Sequence, residues 1–205
     1  MFRNINQLNE MHFDVLKEIG NIGVGNAIGA LSQMIGDEVK MTVPEVKFVK
    51  FNEVGGILGG EEIIVFGIMV HLQGEINGMM MFLLKPDSAR SLISCFAGFK
   101  DDGCDNFTEM QLSAIEEIGN ILCSSYLGAM SSFVNKSVKP SPPYLAKDMA
   151  AAILSIPAIE FGKMSDGMLL IDTVFKTKGK KASGFFLLVP DFDSFGVILS
   201  SLGVG

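Results

Sequence analysis

Hydrophobic residues recur at helical spacing in two long segments of the chain and form short continuous runs elsewhere. In residues 13–34, apolar and small side chains fall on one side of a helix when about 100° is assigned to each residue. Residues 63–71 and 78–84 are instead unbroken apolar runs of strand length, on either side of a polar turn at residues 73–77. Long helices combined with buried strands predict an α+β fold.

The residue pattern of the first long helix returns later in the chain. Glu-Ile-Gly-Asn-Ile stands at residues 18–22 and again at 117–121, and in each copy a proline follows the Asn after 22 intervening residues. Copy one covers about residues 9–98 and copy two about 108–203. Strands of one copy alone would leave exposed sheet edges. The sequence therefore predicts a single domain, residues 1–205, with pseudo-two-fold symmetry and two long helices packed on a shared, largely antiparallel β-sheet.

Both copies are expected to continue with strands and short helices. Copy one predicts a strand at residues 38–51, a flexible turn at 55–60 and a short helix at 87–97. Copy two predicts a strand at residues 168–176, a turn at 177–182 and a second strand at 184–189. A closing helix is predicted at residues 195–202. One difference between the copies is expected: residues 145–153 predict a helix, whereas the corresponding part of copy one predicts a strand.

Polar residues form a narrow line on one side of each long helix. They recur at spacings of three or four, which places them on one helical face. We call them the first stripe, Asp14, Glu18, Asn21 and Gly25, and the second stripe, Ser113, Glu117, Asn120 and Ser124. Asn disfavours helix interiors because its side chain competes for backbone hydrogen bonds. A solvated helix face is the usual explanation for one Glu-x-x-Asn, but the duplication favours a contact surface.

Glycines accompany the stripes, although each one costs a helix interior roughly 1 kcal/mol relative to Ala. Gly20 and Gly23 fall on the inward side of the first helix and predict close packing in the protein core. Gly25 lies within the first stripe, where the missing side chain predicts room for the backbone of a partner.

Composition and charge narrow the possible functions. The chain has 205 residues, of which 48% are apolar and 19% charged, as in folded globular proteins. The net charge of −7 argues against nucleic acid as the main partner, since phosphate neutralisation needs clustered Lys and Arg. No apolar run is long enough to span a bilayer and the N-terminus lacks a signal-peptide pattern, so a cytoplasmic location is expected. The 3 cysteines include no Cys-x-x-Cys pair and predict neither a disulfide framework nor a zinc site.

A carboxylate and an amide at helical spacing can support only some reactions. Asn is neither a base nor a nucleophile at neutral pH, but its amide group can orient a water molecule through hydrogen bonds. Orientation is sufficient where the transition state is loose, as in phosphoryl transfer. A Glu one turn away can anchor a cationic group of the partner. The reacting phosphate and its Mg²⁺ would then have to come from the other molecule.

The duplicated pattern Asp/Ser-x3-Glu-x2-Asn-x22-Pro resembles the CheC/CheX/FliY family of chemotaxis phosphatases, and its CheC branch in particular. The pattern is filled by the residues Asp14, Glu18, Asn21 and Pro44 in copy one and Ser113, Glu117, Asn120 and Pro143 in copy two. The resemblance covers essentially the whole chain, because the spacing between the copies and the strand-rich segments fit as well.

This resemblance implies an enzyme that hydrolyses the aspartyl-phosphate of the response regulator CheY. By that resemblance Asn21 and Asn120 would each position the attacking water, and Glu18 and Glu117 would pair with a lysine of the regulator. It implies no metal or other cofactor on the chain itself, and Mg²⁺ on the CheY partner.

The resemblance also implies a second partner, the receptor deamidase CheD, bound through the region after the second motif. Lys147-Asp148-Met149 resembles that binding helix and makes Asp148 the candidate contact. A single Asp on an apolar helix is also commonly a cap or a surface residue. The alternative function, from a different class, is a binding module that sequesters phosphorylated CheY or controls CheD without catalysis.

Overall fold

The order of elements along the chain is the same in both halves: a long helix, two short strands, a helix, two longer strands and a helix. The computed structural model describes residues 9–35, 40–43, 45–99, 103, 106–162, 167–177 and 180–201. The first half contains α1 (Glu10–Ile35), β1 (Lys40–Thr42), β2 (Val46–Lys50), α2 (Phe51–Leu58), β3 (Ile64–Gly74), β4 (Gly78–Leu84) and α3 (Pro86–Phe96). The second half contains α4 (Glu109–Val134), β5 (Val138–Pro140), β6 (Tyr144–Met149), α5 (Ala150–Phe161), β7 (Gly167–Thr177), β8 (Lys180–Pro190) and α6 (Phe192–Ser201).

The strands of the two copies are interleaved in one antiparallel sheet. Its order is β1-β7-β8-β4-β3-β5, with β2 also paired to β7 and β6 also paired to β3. The short strands of each copy therefore pair with a long strand of the other copy. At the centre, β4 of copy one pairs with β8 of copy two, with Met81 opposite Leu187. Because each copy completes its sheet with strands of the other, the predicted α+β fold with a shared antiparallel sheet is confirmed.

Helices cover both faces of this sheet. Helices α1, α3, α4 and α6 pack on one face, and α2 and α5 pack on the other. Successive residues of β4 alternate between the two cores, with Met80 and Phe82 facing the first and Met79 and Met81 the second. Burial on both faces explains why this strand is a continuous apolar run. The two long helices share one face, so the side chains that they expose are presented on the same side of the molecule.

Both long helices begin with reciprocal capping hydrogen bonds at equivalent positions. At α4, Thr108 Oγ1 accepts from the Gln111 N–H at 3.3 Å, and Gln111 Oε1 accepts from the Thr108 N–H at 2.8 Å. At α1, Asn9 Oδ1 accepts from the His12 N–H at 3.2 Å, and His12 Nδ1 accepts from the Asn9 N–H at 3.0 Å. These bonds satisfy N–H groups that the first turn leaves without helical partners. The duplication therefore extends to the way in which the two helices start.

The glycine-rich segment 55–60 is not the predicted flexible turn. Most of it belongs to helix α2, whose Val54 and Leu58 are buried in the second core, and Gly59 ends the helix at φ 105°. Glycine lowers helix propensity and so conceals this helix in the sequence, but burial of the apolar face outweighs the local preference. The predicted strand at 38–51 contains two strands, β1 and β2, and its last residue begins α2, while residues 38, 39 and 44 lie outside the described part of the chain.

Residues 145–153 are not a continuous helix either. They form strand β6 up to Met149, and helix α5 begins only at Ala150. Leu, Ala, Lys and Met favour helix locally, but antiparallel pairing with β3 from Ile64 to Met69 decides the conformation. The expected difference between the copies therefore disappears, because β2–α2 and β6–α5 are the same strand–helix unit.

The other predicted elements are present with small changes of length. The strands predicted at 63–71, 78–84, 168–176 and 184–189 are β3, β4, β7 and β8, and the helices at 87–97 and 195–202 are α3 and α6, with residue 202 outside the described part of the chain. The turn predicted at 177–182 is too long, since β7 and β8 stay paired up to Thr177 opposite Lys180. Within the described ranges, no helix has the length and hydrophobicity needed to cross a lipid bilayer.

Candidate functional site

The two stripes lie on the outer side of the helices that carry them. In the first stripe Asp14, Glu18 and Gly25 are exposed and Asn21 is half-buried. In the second stripe Ser113 and Glu117 are exposed, and Asn120 and Ser124 are half-buried. The predicted exposure is confirmed for Glu18 and Glu117, whereas Asn21 and Asn120 are half-buried, so each amide is set deeper than its carboxylate. Helices α1 and α4 pack against each other, so the two pairs belong to one helical layer.

Close packing behind the stripes holds the two helices at a fixed separation. A Cβ on Gly23 would lie 2.8 Å from Cα of Tyr126 on α4, and a Cβ on Gly20 would lie 3.3 Å from Cγ2 of Val43. The inward packing predicted for both glycines is confirmed. No atom lies within 4 Å of the Cβ position at Gly25, so this part of the first stripe is open. Its role as clearance for a partner stays a prediction.

The carboxylates of Glu18 and Glu117 have no side-chain partner among the described residues. Neither Glu18 nor Glu117 forms a side-chain hydrogen bond or an ion pair with any residue in the part of the chain that the structure describes. Ionised carboxylates accept hydrogen bonds from ammonium and guanidinium groups. Both side chains are therefore able to bind a cationic group that approaches from outside.

The amide of Asn21, by contrast, has a partner within the fold. Its Oδ1 accepts a hydrogen bond from the backbone N–H of Val43 at 3.2 Å, across 22 residues of sequence. Val43 follows β1 and is itself buried, with 2% of its surface exposed. A side-chain motif cannot reveal a backbone donor, and for this reason the sequence did not point to Val43. The only sequence signal is its position immediately before Pro44.

The two motif prolines follow different residues. Pro44 lies outside the described residues, whereas Pro143 is half-buried in the connection between β5 and β6. The residue before each proline differs, with Val43 in copy one and Pro142 in copy two. The neighbourhoods of the two Asn residues are therefore not chemically identical.

Asp148 lies on strand β6, not on the helix in which it was predicted. β6 is at the edge of the sheet, and Asp148 is exposed opposite Val65 of β3. Its Oδ1 accepts a hydrogen bond from the Met149 N–H at 2.7 Å. Met149 and Tyr144 of the same strand are exposed apolar residues, at 45% and 64%. Asp148 is thus accessible to a partner, although its structural context differs from the expected one.

Other reactive groups do not converge on the stripes. Among the described residues, no three His, Cys, Asp or Glu side chains are arranged to hold a metal ion. Cys123 of α4 is a buried free thiol, and its burial raises the thiol pKa to about 12. The thiolate, which is the nucleophilic form, is therefore not populated at neutral pH. The groups that the stripes offer to a partner are carboxylates, amides and the hydroxyls of Ser113 and Ser124.

Comparisons with known proteins agree with this duplicated architecture. The chain matches the CheC-like family over residues 11–48 and 110–145, which contain both stripes. It is 30% identical over 202 residues to the CheY-P phosphatase CheC of Bacillus subtilis (strain 168), and the match covers 97% of each chain.

Solved structures show the same fold at lower sequence identity. FliY of Thermotoga maritima aligns with a TM-score of 0.76 and 19% identity, over 96% of this chain and 98% of that one. The FliM middle domain of H. pylori aligns with a TM-score of 0.67 and 13% identity, over 95% and 99%. The fold class is therefore the duplicated α+β domain of FliY and the FliM middle domain. Within that class, the chain belongs to the CheC-like family.

Proposed function

We propose that this protein hydrolyses the aspartyl-phosphate of the response regulator CheY. The observation that carries the proposal is the duplicated Glu/Asn pair on the outer side of two helices of one layer, with no metal-binding cluster among the described residues. The name of the Bacillus subtilis relative, CheY-P phosphatase CheC, supports the same activity for a chain that matches it over nearly its full length.

In the proposed reaction, the oxygen of a water molecule attacks the phosphorus of the regulator's aspartyl-phosphate. A P–O bond forms to the water, the P–O bond to the aspartyl oxygen breaks, and the products are inorganic phosphate and a free carboxylate, with the water's proton released. Asn21 or Asn120 orients the water, which is the main requirement of a loose transition state. Glu18 or Glu117 binds a lysine of the regulator, and the Mg²⁺ that neutralises the phosphate is held by the regulator.

The test is the decay of phosphorylated CheY when this protein is present in catalytic amounts. A phosphatase releases many phosphates per protein molecule, so decay accelerates at ratios far below one to one. A binding module that sequesters phosphorylated CheY changes its decay only near stoichiometric amounts. Absence of multiple turnovers, with and without CheD present, would contradict the proposed function and leave sequestration as the account.

CheD is proposed as a second partner, with Asp148 on the exposed edge of β6 as its candidate contact. The supporting observations are the exposure of Asp148 and of its apolar neighbours Tyr144 and Met149. Asp148→Asn removes the charge but keeps an oxygen that can accept from the Met149 N–H, so it tests recognition of the charge. Its expected effect is weaker binding to CheD in calorimetry, with Asp193→Asn, an exposed change on α6, as the matched control. Equal affinity of the two variants for CheD would mean that the charge of Asp148 does not contribute to the interface.

A further inference from the structure

One atom of Asn21 already has a hydrogen-bond partner within the fold before any partner protein binds. The backbone N–H of Val43 donates to Oδ1 of Asn21 at 3.2 Å. The donor identifies the acceptor as oxygen, because the amide nitrogen of Asn has no lone pair to offer an N–H group. The contact therefore directs Oδ1 towards the buried backbone at Val43, and it uses one of the two lone pairs of that oxygen.

The second site cannot form the same contact. Val43 precedes Pro44, and the residue that precedes Pro143 is Pro142, at the same distance of 22 residues from Asn120. Proline has no backbone N–H and donates no hydrogen bond. The Asn120 side chain forms no hydrogen bond with any residue in the described part of the chain. No described residue therefore fixes the direction of its amide oxygen.

The chemistry of the proposed reaction makes the oxygen of Asn the important atom. A water molecule that attacks phosphorus must direct a lone pair at it, so its O–H groups point away and need acceptors. An N–H donor placed on that water would instead occupy a lone pair. Oδ1 is the acceptor of the Asn side chain, and the N–H of Val43 occupies one of its two lone pairs and fixes its direction, which restricts how the water can bond to it. The hydrogen bond from Val43 therefore weakens the positioning of the water by Asn21. It leaves the carboxylate of Glu18, which docks the regulator, unchanged.

We infer that the backbone N–H of Val43 restrains the first site by holding Oδ1 of Asn21, and that the second site, released by Pro142, hydrolyses phosphorylated CheY faster. This inference rests on the proposed function. Val43 is a positioning residue, since it acts through Asn21. A typical net hydrogen bond corresponds to a difference of about twofold to tenfold in rate. The difference belongs in kcat, while KM for phosphorylated CheY is the same at both sites.

The kinetic test isolates each site and then exchanges the donor. In the Asn120→Ala background, which leaves the first site, Val43→Pro removes the N–H and is expected to raise kcat about twofold to tenfold at constant KM. Val43→Ala keeps the N–H while shortening the same buried side chain, so the comparison of the two variants isolates the donor. In the Asn21→Ala background, Pro142→Val supplies an N–H to the second site and is expected to lower kcat by a similar factor.

Three results decide the inference. Faster amide exchange of Val43 in Asn21→Ala than in the wild type, measured by NMR, supports the contact itself, and equal exchange overturns it. A Val43→Pro protein that melts like Val43→Ala without a higher kcat overturns the restraint. If Val43→Pro does not fold, an unchanged kcat in Pro142→Val overturns it instead. Absence of hydrolysis by every variant would overturn the proposed function as well, whereas hydrolysis without these shifts overturns only the inference.

Discussion

Gly23 on α1 lies against the backbone of Tyr126 on α4, so closely that a Cβ would come within 2.8 Å of the Tyr126 Cα. This contact joins the two helices that carry the stripes. Backbone atoms at the contact cannot rotate away as a side chain can, so any larger residue must push the helices apart. The relative position of the two Glu/Asn pairs therefore depends on a glycine that lies outside both of them.

Gly23→Ala is expected to destabilise the protein by about 1–3 kcal/mol, because the added methyl group overpacks the helix contact. The measurement is the free energy of unfolding from denaturant titration. Gly29→Ala on the same helix is the control, since no atom lies within 4 Å of its Cβ position. The free energy of unfolding of the Gly29→Ala control should rise by up to about 1 kcal/mol, because alanine has a higher helix propensity than glycine. Equal effects of the two substitutions would contradict the packing role of Gly23.

Gly25→Leu tests whether the open part of the first stripe is a docking surface. The position is exposed and has room for a side chain, so the substitution should leave the free energy of unfolding unchanged or higher. In the Asn120→Ala background, a leucine where the partner's backbone approaches should raise KM for phosphorylated CheY several-fold. Asn26→Leu, at an exposed position of α1 outside the stripe, should leave KM unchanged. The same KM for both variants would mean that Gly25 provides no clearance.

Replacing Glu18 and Glu117 together by Gln should weaken docking more than chemistry. Loss of an ion pair of about 0.2–1 kcal/mol per site predicts a rise in KM of up to about fivefold, with a smaller change in kcat. The KM of the variant should also depend less on ionic strength, since salt screens the pair in the wild type. The control replaces Glu61 and Glu62 by Gln, which changes the net charge equally at exposed positions between α2 and β3. An equal rise of KM in the control would assign the effect to overall charge instead of docking.

Cys123 predicts a loss of stability at alkaline pH. Burial raises the pKa of its thiol to about 12, whereas the thiol of the unfolded chain titrates near 8.5. Between these values the unfolded state has released the proton and the folded state has not, so stability falls as pH rises, by up to about 1.4 kcal/mol per pH unit from this group. Cys123→Ala should show a shallower decline of the unfolding free energy between about pH 9 and pH 11. Parallel curves for the two proteins would contradict the pKa shift.

The sequence predicted correctly those parts of the fold whose residue pattern occurs in both copies. The two long helices, their exposed Glu18 and Glu117 and the four long strands all follow from hydrophobic periodicity that each copy repeats. The inward packing of Gly20 and Gly23 follows from the same helical wheel. These features depend on the spacing of apolar and polar residues within one element, and this spacing can be read directly from the sequence.

The errors occurred where a long-range contact outweighs local preference. Residues 145–149 have helix-forming side chains but form β6, because β3 of the other copy offers a strand to pair with. Helix α2 contains two glycines, Gly55 and Gly56, but forms because Val54 and Leu58 reach the second core. The link from Val43 to Asn21 was missed for a related reason, since a backbone donor leaves no mark on the residue type.

The activity of the double variant Asn21→Ala with Asn120→Ala is the most direct test of the central claim. The measurement is the rate of phosphate release from phosphorylated CheY with catalytic amounts of wild type, the double variant and a control, Asn26→Ala, which removes an exposed amide from α1 outside the stripe. The account predicts multiple turnovers for wild type and control, and only the regulator's spontaneous rate for the double variant. Wild-type turnover by a double variant with an unchanged melting temperature would contradict it.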